Sequence, residues 1–449
     1  MGERGKESLV SSVVVAGLWA VGGAGRRGAI LMAAGAVGLT LGRVALGTVT
    51  LTNLAVFDGN TEASPAGVLY LDAAGNLFGT TAGGGTSGGG TVFEVSGTTP
   101  RTVTTLVSLS GIAAPVSGLI ADAAGNLYGT TRGGGNFGYG SVFELTGTTH
   151  QTLTTLFSFN NDNGNRPQGS LMLDGSGNLY GVTSSGGPNR DGTAGNGTVF
   201  ELSGINHQTL TTLVAFTGAN GSDPFDGLVA DAGGNLYGTT MTGGTAGYGT
   251  AFKLSGATHQ TLTTLQMFTG PNGQSPLGRM YADAAGNLFG TAGGGGGWPG
   301  TVFELSGTNH QTLTTLATFN GANGQLAKGG LIADALGNLF GTTQDGGAYG
   351  DYGTVFELSG PNHQTMTTLY SFSGADGWAP LAGLTADSAG NLYGTTYQGG
   401  GKFGATGWGT VFELSGTGFV APEPGSLLML VLGGAGILSG RRRRLAAER

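Results

Sequence analysis

A Gly-Asn-Leu-Phe/Tyr-Gly segment returns seven times along the chain, with its asparagine at Asn76, Asn126, Asn178, Asn235, Asn287, Asn338 and Asn391. The steps between copies run from 50 to 57 residues. A period of about that length marks a solenoid, a propeller or an array of repeated units. Four short segments recur inside each unit. In the second unit they are residues 118–122 (GLIAD), 126–131 (NLYGTT), 141–145 (SVFEL) and 152–159 (TLTTLFSF). Each is β-branched or aromatic and bounded by turn residues, which predicts a strand, and no helical periodicity intervenes.

Four antiparallel strands per unit, repeated seven times, predict an all-β fold: a seven-bladed β-propeller of four-stranded blades. The order of the segments resembles that of NHL-type propellers. That resemblance implies an inner strand A (GLIAD), then B (NLYGTT), C (VFEL) and an outer D (TLTTL). The last unit ends at strand C, residues 410–414, while an unassigned D-like segment, residues 49–57 (VTLTNLAVF), precedes the first unit. The N-terminal strand is therefore expected to complete the last blade. The alternative is an open β-solenoid in which the same strand is a cap. The glycines have local reasons: Gly and Asn accept left-handed dihedrals in the A–B turn, and the Gly inside strand B permits close backbone approach near a crowded axis.

The 95 glycines and 13 prolines would signal low complexity without a period, but the chain also holds 21 Phe, 12 Tyr and 4 Trp, enough to build a core. Cysteine is absent, which removes disulfides, thiolate nucleophiles and Cys-bound metals. Between residues 47 and 420 there are 8 basic and 22 acidic residues. That balance is the wrong sign for a nucleic-acid binder.

Both ends read as export signals. Residues 1–47 contain two apolar runs split by Arg26-Arg27, the second followed by small residues as in a signal peptide. Residues 48–418 are the propeller. Residues 419–449 carry Pro422, Glu423 and Pro424, a 13-residue apolar run at 426–438, and Arg441, Arg442, Arg443 and Arg444. As a helix that run rises about 20 Å, less than a ~30 Å hydrocarbon core, yet the arginines make it a stop-transfer device. The tail resembles the PEP-CTERM sorting signal over residues 421–445. The resemblance implies an exosortase-type enzyme as partner, transient membrane association, and the cell surface or extracellular matrix of a Gram-negative bacterium as destination. The repeats themselves, DAAGNLYGTT through GTVFELSG, resemble the bacterial GloVer tandem-repeat family over residues 67–416. That resemblance implies the repeat architecture and no particular chemistry.

The candidate site residues sort by symmetry. His150, His207, His259, His310 and His363 share one place in the C–D turn, so they cannot converge on one metal or one catalytic base, and a turn role is expected. The Asp that ends each strand A and the Glu within strand C belong to the repeat. Nine other acids fall in D–A and B–C loops, which an antiparallel meander places on one face. The B–C loops also vary most in length and hold most loop aromatics. Loops on a rigid scaffold carry function, so binding is expected on that face, at Trp298, Trp378, Trp408, Tyr139, Tyr248, Tyr352, Asp191, Asp223, Asp345 and Asp351. Aromatics beside carboxylates suit an extracellular polysaccharide or surface proteins. The plainer role for those rings is to cover their own glycine-rich loops. No residue is assigned a catalytic role, since nothing selects a glycosidase pair among nine acids. No metal or other cofactor is expected; the Asn-Gly loops could offer oxygens to Ca²⁺ but match no calcium-loop spacing. A non-enzymatic binding or structural module is the leading reading, with a glycosidase or lyase as the alternative.

Overall fold

The computed structural model describes residues 48–97, 101–110, 113–188, 195–294, 300–401 and 407–422. The export segment 1–47, Asp191, Trp298, Glu423, Pro424 and Arg441 to Arg444 lie outside the described residues.

Seven antiparallel sheets follow one another as the blades of a β-propeller, each ordered D-C-B-A. Blade 2 is typical, with strands Ile120–Ala121, Leu127–Thr131, Ser141–Thr146 and Thr152–Ser158. The last blade takes its D strand from the chain start. Thr50–Val56 pairs antiparallel with Thr410–Ser415, in register from Thr50↔Ser415 to Val56↔Thr410. The bulge between Asn53 and Ala55 repeats the one between Thr155 and Phe157 in blade 2. The borrowed strand thus copies a resident one, and the open solenoid is excluded.

Strand A is shorter than the sequence predicts. Only two residues of each GLxxD segment pair with strand B, as in Tyr70–Leu71. In blades 1, 3 and 4 a second short strand precedes it, such as Asn165–Pro167, and pairs with the far end of strand B. Between the two pieces the chain leaves the ladder and turns around the axis, where neighbouring blades nearly touch. A Cβ on Gly67 would sit 2.3 Å from the carbonyl oxygen of Ser117, and one on Gly227 2.4 Å from that of Ser170. Strand-B threonines pin these segments: Thr80 Oγ1 donates to Ser117 O (2.8 Å) and Thr342 Oγ1 to Ala382 O (2.8 Å). Thr395 does the same to Gly67 O across the seam (3.4 Å).

The core lies between blades. Phe159 meets Phe200 edge-on at 5.1 Å, and the pattern repeats in Phe216–Phe252, Phe268–Phe303, Phe319–Phe356 and Phe372–Phe412. At the seam Phe57 meets Phe93 in the same way at 5.2 Å. The strand-B glycine serves this packing. A Cβ on Gly181 would lie 2.6 Å from Phe200 Cζ, so the space it vacates is filled by a phenylalanine ring of strand C, not by backbone at the axis. In the A–B turn only the glycines are left-handed, as at Gly75 (φ 86°) and Gly125 (φ 85°); the asparagine bonds to the preceding Asp instead.

One break in the repeat leaves a mark. Buried hydroxyls pair across strands B and C, as in Thr183–Thr198 (2.9 Å) and Thr240–Thr250 (2.9 Å). In blade 5 Ala292 takes the strand-B place, opposite Thr301, and among the described residues the buried Thr301 Oγ1 has no hydrogen-bond partner. Ala292→Thr restores the pair, and denaturant unfolding should show a gain of about 1 kcal/mol. An unchanged or lower midpoint would contradict that account.

Candidate functional site

The two faces of the ring differ in kind. On the face of the A–B and C–D turns, side chains are consumed by the repeat. Asp122 accepts from the backbone N–H of Ala124 and Asn126 and from Asn126 Nδ2, and Tyr128 donates its hydroxyl to both Asp122 and Glu144. Each histidine ring nitrogen meets the carbonyl of the turn glycine, from His207···Gly177 O (2.6 Å) to His150···Gly125 O (2.9 Å). Each ring also packs on the aromatic of the preceding blade, as in Phe78–His150 and Tyr128–His207. This is the expected turn role with an inter-blade contact added. In blade 1 Arg101 substitutes, donating to Gly75 O (2.9 Å) with its guanidinium over Tyr393 (5.6 Å). In blade 7 Thr417 donates to Gly390 O (3.3 Å) while Phe419 packs on Phe340 (5.0 Å).

On the other face the D–A segments and B–C loops are tied together. Just before the proline or alanine that opens the inner turn, each blade holds a non-glycine residue with left-handed backbone: Ser64, Ala114, Arg166, Asp223, Ser275, Leu326 and Ala379, with φ between 43° and 60°. Such backbone is strained for residues with a Cβ and persists only where the surroundings impose it. The B–C loop of the preceding blade imposes it here. Arg166 N–H donates to Tyr139 O (2.9 Å), Asp223 to Asn196 O (2.9 Å), Ser275 to Tyr248 O (3.0 Å), Ala379 to Tyr352 O (3.1 Å) and Ser64 to Trp408 O (2.7 Å).

The expected aromatics are therefore spread around the ring rather than gathered. Trp378 and Tyr352 meet edge-on at 6.0 Å. Tyr352 also lies over Gly374, and Trp408 over Gly59 while remaining 54% exposed. Tyr139 is exposed, and Tyr248 packs beside the core between blades 4 and 5. Covering glycines thus accounts for part of the aromatic set. Asp351 is exposed and Asp345 half-buried. Burial pushes the Asp345 carboxyl above its usual range, a bond from Gln344 and the charge of Lys328 oppose this, and Asp351 adds to it. Among the described residues no cluster suited to a metal ion forms. The Asn-Gly loops satisfy themselves: Asn163 Oδ1 accepts from Asn160 N, and Asn160 Oδ1 from Asn163 N.

All seven blades converge on a cavity of about 340 Å³ at the mouth of the axis on this face. The residue after each proline or alanine supplies a collar: Ala66, Val116, Gln168, Phe225, Leu277, Lys328 and Leu381. Above and beside it stand Arg132, Arg166, Asp223, Asp226, Ser170, Ser184 and Tyr397. Of the expected site residues only Asp223 is there. Burial raises its pKa, opposed by the charges of Arg166 and Arg132 and by a bond from Ser184. Asp226 is committed to backbone, accepting from Gly227 N (2.6 Å), Ser170 N (3.5 Å) and Arg279 N (2.9 Å), while Arg279 Nε donates to Leu228 O (3.0 Å). Burial works against the Arg279 charge, and Asp226 supports it.

Sequence reasoning passed over Arg132, Arg166, Arg279 and Lys328. Their signal was rarity: six basic residues are described in the repeats, three of these line the axial cavity, and Arg279 bonds to Asp226 of its lining. The other two, Arg101 and Lys253, lie over tyrosine rings on the opposite face.

A family model described as a Gloeobacter/Verrucomicrobia repeat matches residues 38–194 and 188–412. No curated protein matches the chain. Among solved structures, a gluconolactonase from Xanthomonas campestris shares 16% identity over 66% of this chain and 86% of its own, with a TM-score of 0.42. A protein of unknown function from Bacteroides thetaiotaomicron shares 13% over 82% and 75%, with a TM-score of 0.44. A luciferin-regenerating enzyme shares 12% over 83% and 97%, with a TM-score of 0.43.

Proposed function

The chain belongs to the Gloeobacter/Verrucomicrobia repeat family, and from that premise we propose that it is an exported, non-enzymatic binding module of the cell surface or extracellular matrix. Its D–A and B–C face would engage extracellular polysaccharide or surface proteins. The Pro422-Glu423-Pro424 tail with Arg441 to Arg444 would deliver it through an exosortase-type enzyme. One observation carries the reading. The variable loops and a cavity lined by all seven blades lie on the same face; the opposite face holds a cavity of about 390 Å³ between blades 5 and 6, at Asp283, Leu336 and His363, but there the histidine rings bond to the ring's own turns.

The test uses the purified full chain and polysaccharide recovered from the producing culture. Binding is expected, and a Tyr139→Ala/Trp408→Ala variant should bind about threefold to tenfold more weakly, the worth of lost aromatic contacts. Replacing Pro422, Glu423 and Pro424 by alanine in the producing cell should leave the tail uncleaved and the chain in the membrane fraction. Absence of binding to polysaccharide and to surface proteins alike would sink the reading.

A second reading, a glycosidase or lyase, draws on Asp223, whose carboxyl burial holds above the usual range. The neighbouring Asp226 is a poor second acid because backbone N–H groups occupy both its oxygens. Polysaccharide turnover abolished by Asp223→Asn would favour this reading over the first.

A further inference from the structure

We propose that the axial mouth is a subsite for a carboxylated sugar, a hexuronate residue of an acidic polysaccharide; this rests on the reading that the face binds glycan. The chain carries a formal charge of −8, yet three cationic side chains, Arg132, Arg166 and Lys328, line this cavity from three blades, and the buried Arg279 stands behind its wall against Asp226. Among the described residues, the guanidinium groups of Arg132 and Arg166 and the Lys328 ammonium make no hydrogen bond or ion pair. Arg132 and Arg166 are exposed and come from adjacent blades, with Lys328 across the ring. Arg132 and Arg166 feel the Asp223 carboxyl and Lys328 that of Asp345 through their charges alone, so the planar guanidinium donors keep the geometry that matches a carboxylate with two parallel bonds.

The local balance sets the size of that anion. Three lining cations stand against two lining carboxylates, Asp223 and Asp226, while outside the lining the buried Arg279 is offset by Asp345 beside Lys328. The small positive remainder suits a monoanion and disfavours a polyphosphate, which the carboxylates would repel. The rest of the lining fits the body of a sugar. Val116, Phe225, Leu277 and Leu381 offer an apolar surface to ring C–H groups, and Ser170 Oγ, which accepts from Gly118 N (3.1 Å), keeps its proton to donate. The volume is at the lower end of pockets that hold small ligands. Such a subsite would read one residue of a polymer laid across the loops.

The experiment titrates the full chain calorimetrically with trigalacturonate, with the neutral galactose trimer, and with inorganic phosphate. Trigalacturonate should bind and the neutral trimer should not, and affinity should fall with added salt. Arg132→Ala/Arg166→Ala should weaken uronate binding about tenfold or more. These side chains are exposed and unbonded, so the unfolding midpoint should not move. Lys328→Gln gives an independent arm, with loss expected there as well. Equal binding of the neutral trimer, or uronate binding indifferent to all three substitutions, would overturn the subsite and leave the glycan-binding face standing. Phosphate binding as tight as uronate would overturn it in favour of a simple anion hole. If no oligosaccharide binds, and culture polysaccharide does not either, both readings fall.

Discussion

A chain lacking residues 48–57 loses about 5 kcal/mol or more of stability and no longer closes its ring. That size follows from what the segment contributes. Thr50–Val56 supplies a full ladder to Thr410–Ser415, and Phe57, 5% exposed, fills the seam against Phe93. Truncating a buried phenylalanine alone costs about 3–5 kcal/mol, and the lost ladder bonds add to it. The deletion also turns Thr410–Ser415 into an open edge, a template for aggregation. Thermal unfolding and hydrogen exchange read the effect: amides in Thr410–Ser415 should exchange early while those of Ser141–Thr146 stay protected. A peptide of residues 48–60 added in trans should restore both. Unchanged melting and exchange would show that the seam does not hold the ring.

The second large effect is internal to a blade. Phe200→Ala should cost about 3–5 kcal/mol, since the ring is fully buried and meets Phe159 edge-on. Gly181→Ala should cost about 1–3 kcal/mol by overpacking, because its new Cβ would fall 2.6 Å from Phe200 Cζ. The two positions form one contact, so their effects should not add. In a Phe200→Leu background, which removes Cζ, Gly181→Ala should become cheaper by on the order of 1 kcal/mol. Leu171 Cδ2, at 2.9 Å, keeps some of the crowding. Additive denaturant unfolding energies across the cycle would disprove the pairing.

The blade number and the seam were legible because both are questions of order. A D-like segment at residues 49–57 and a missing one after residue 415 leave few ways to close seven units. The turn roles of the histidines and strand-A aspartates were legible from symmetry alone. What could not be read depends on the third dimension. The expected strand A shrinks to two paired residues because the axis crowds the rest off the ladder, and no propensity records that. Arg101 and Phe419 replace histidine with different chemistry, Phe419 from a segment that is not a C–D turn at all. The mouth was hidden for a similar reason. Arg132, Arg166 and Lys328 occupy unlike places in their repeats, and only the ring brings them to one cavity.

The pairing of Val56 with Thr410 joins residues 354 positions apart, whereas the other blade ladders close within one repeat. Contacts that distant form late, after local ones have been made. The seam between the first and last described strands is therefore expected to close after the ladders within single repeats, which hydrogen-exchange labelling during refolding would read. Any product cut short before residue 410 lacks a mate for its first strand and keeps an unpaired edge, the feature that invites aggregation and proteolysis. The topology acts as a completeness check: only a chain made to its last strand can hide both ends of the sheet.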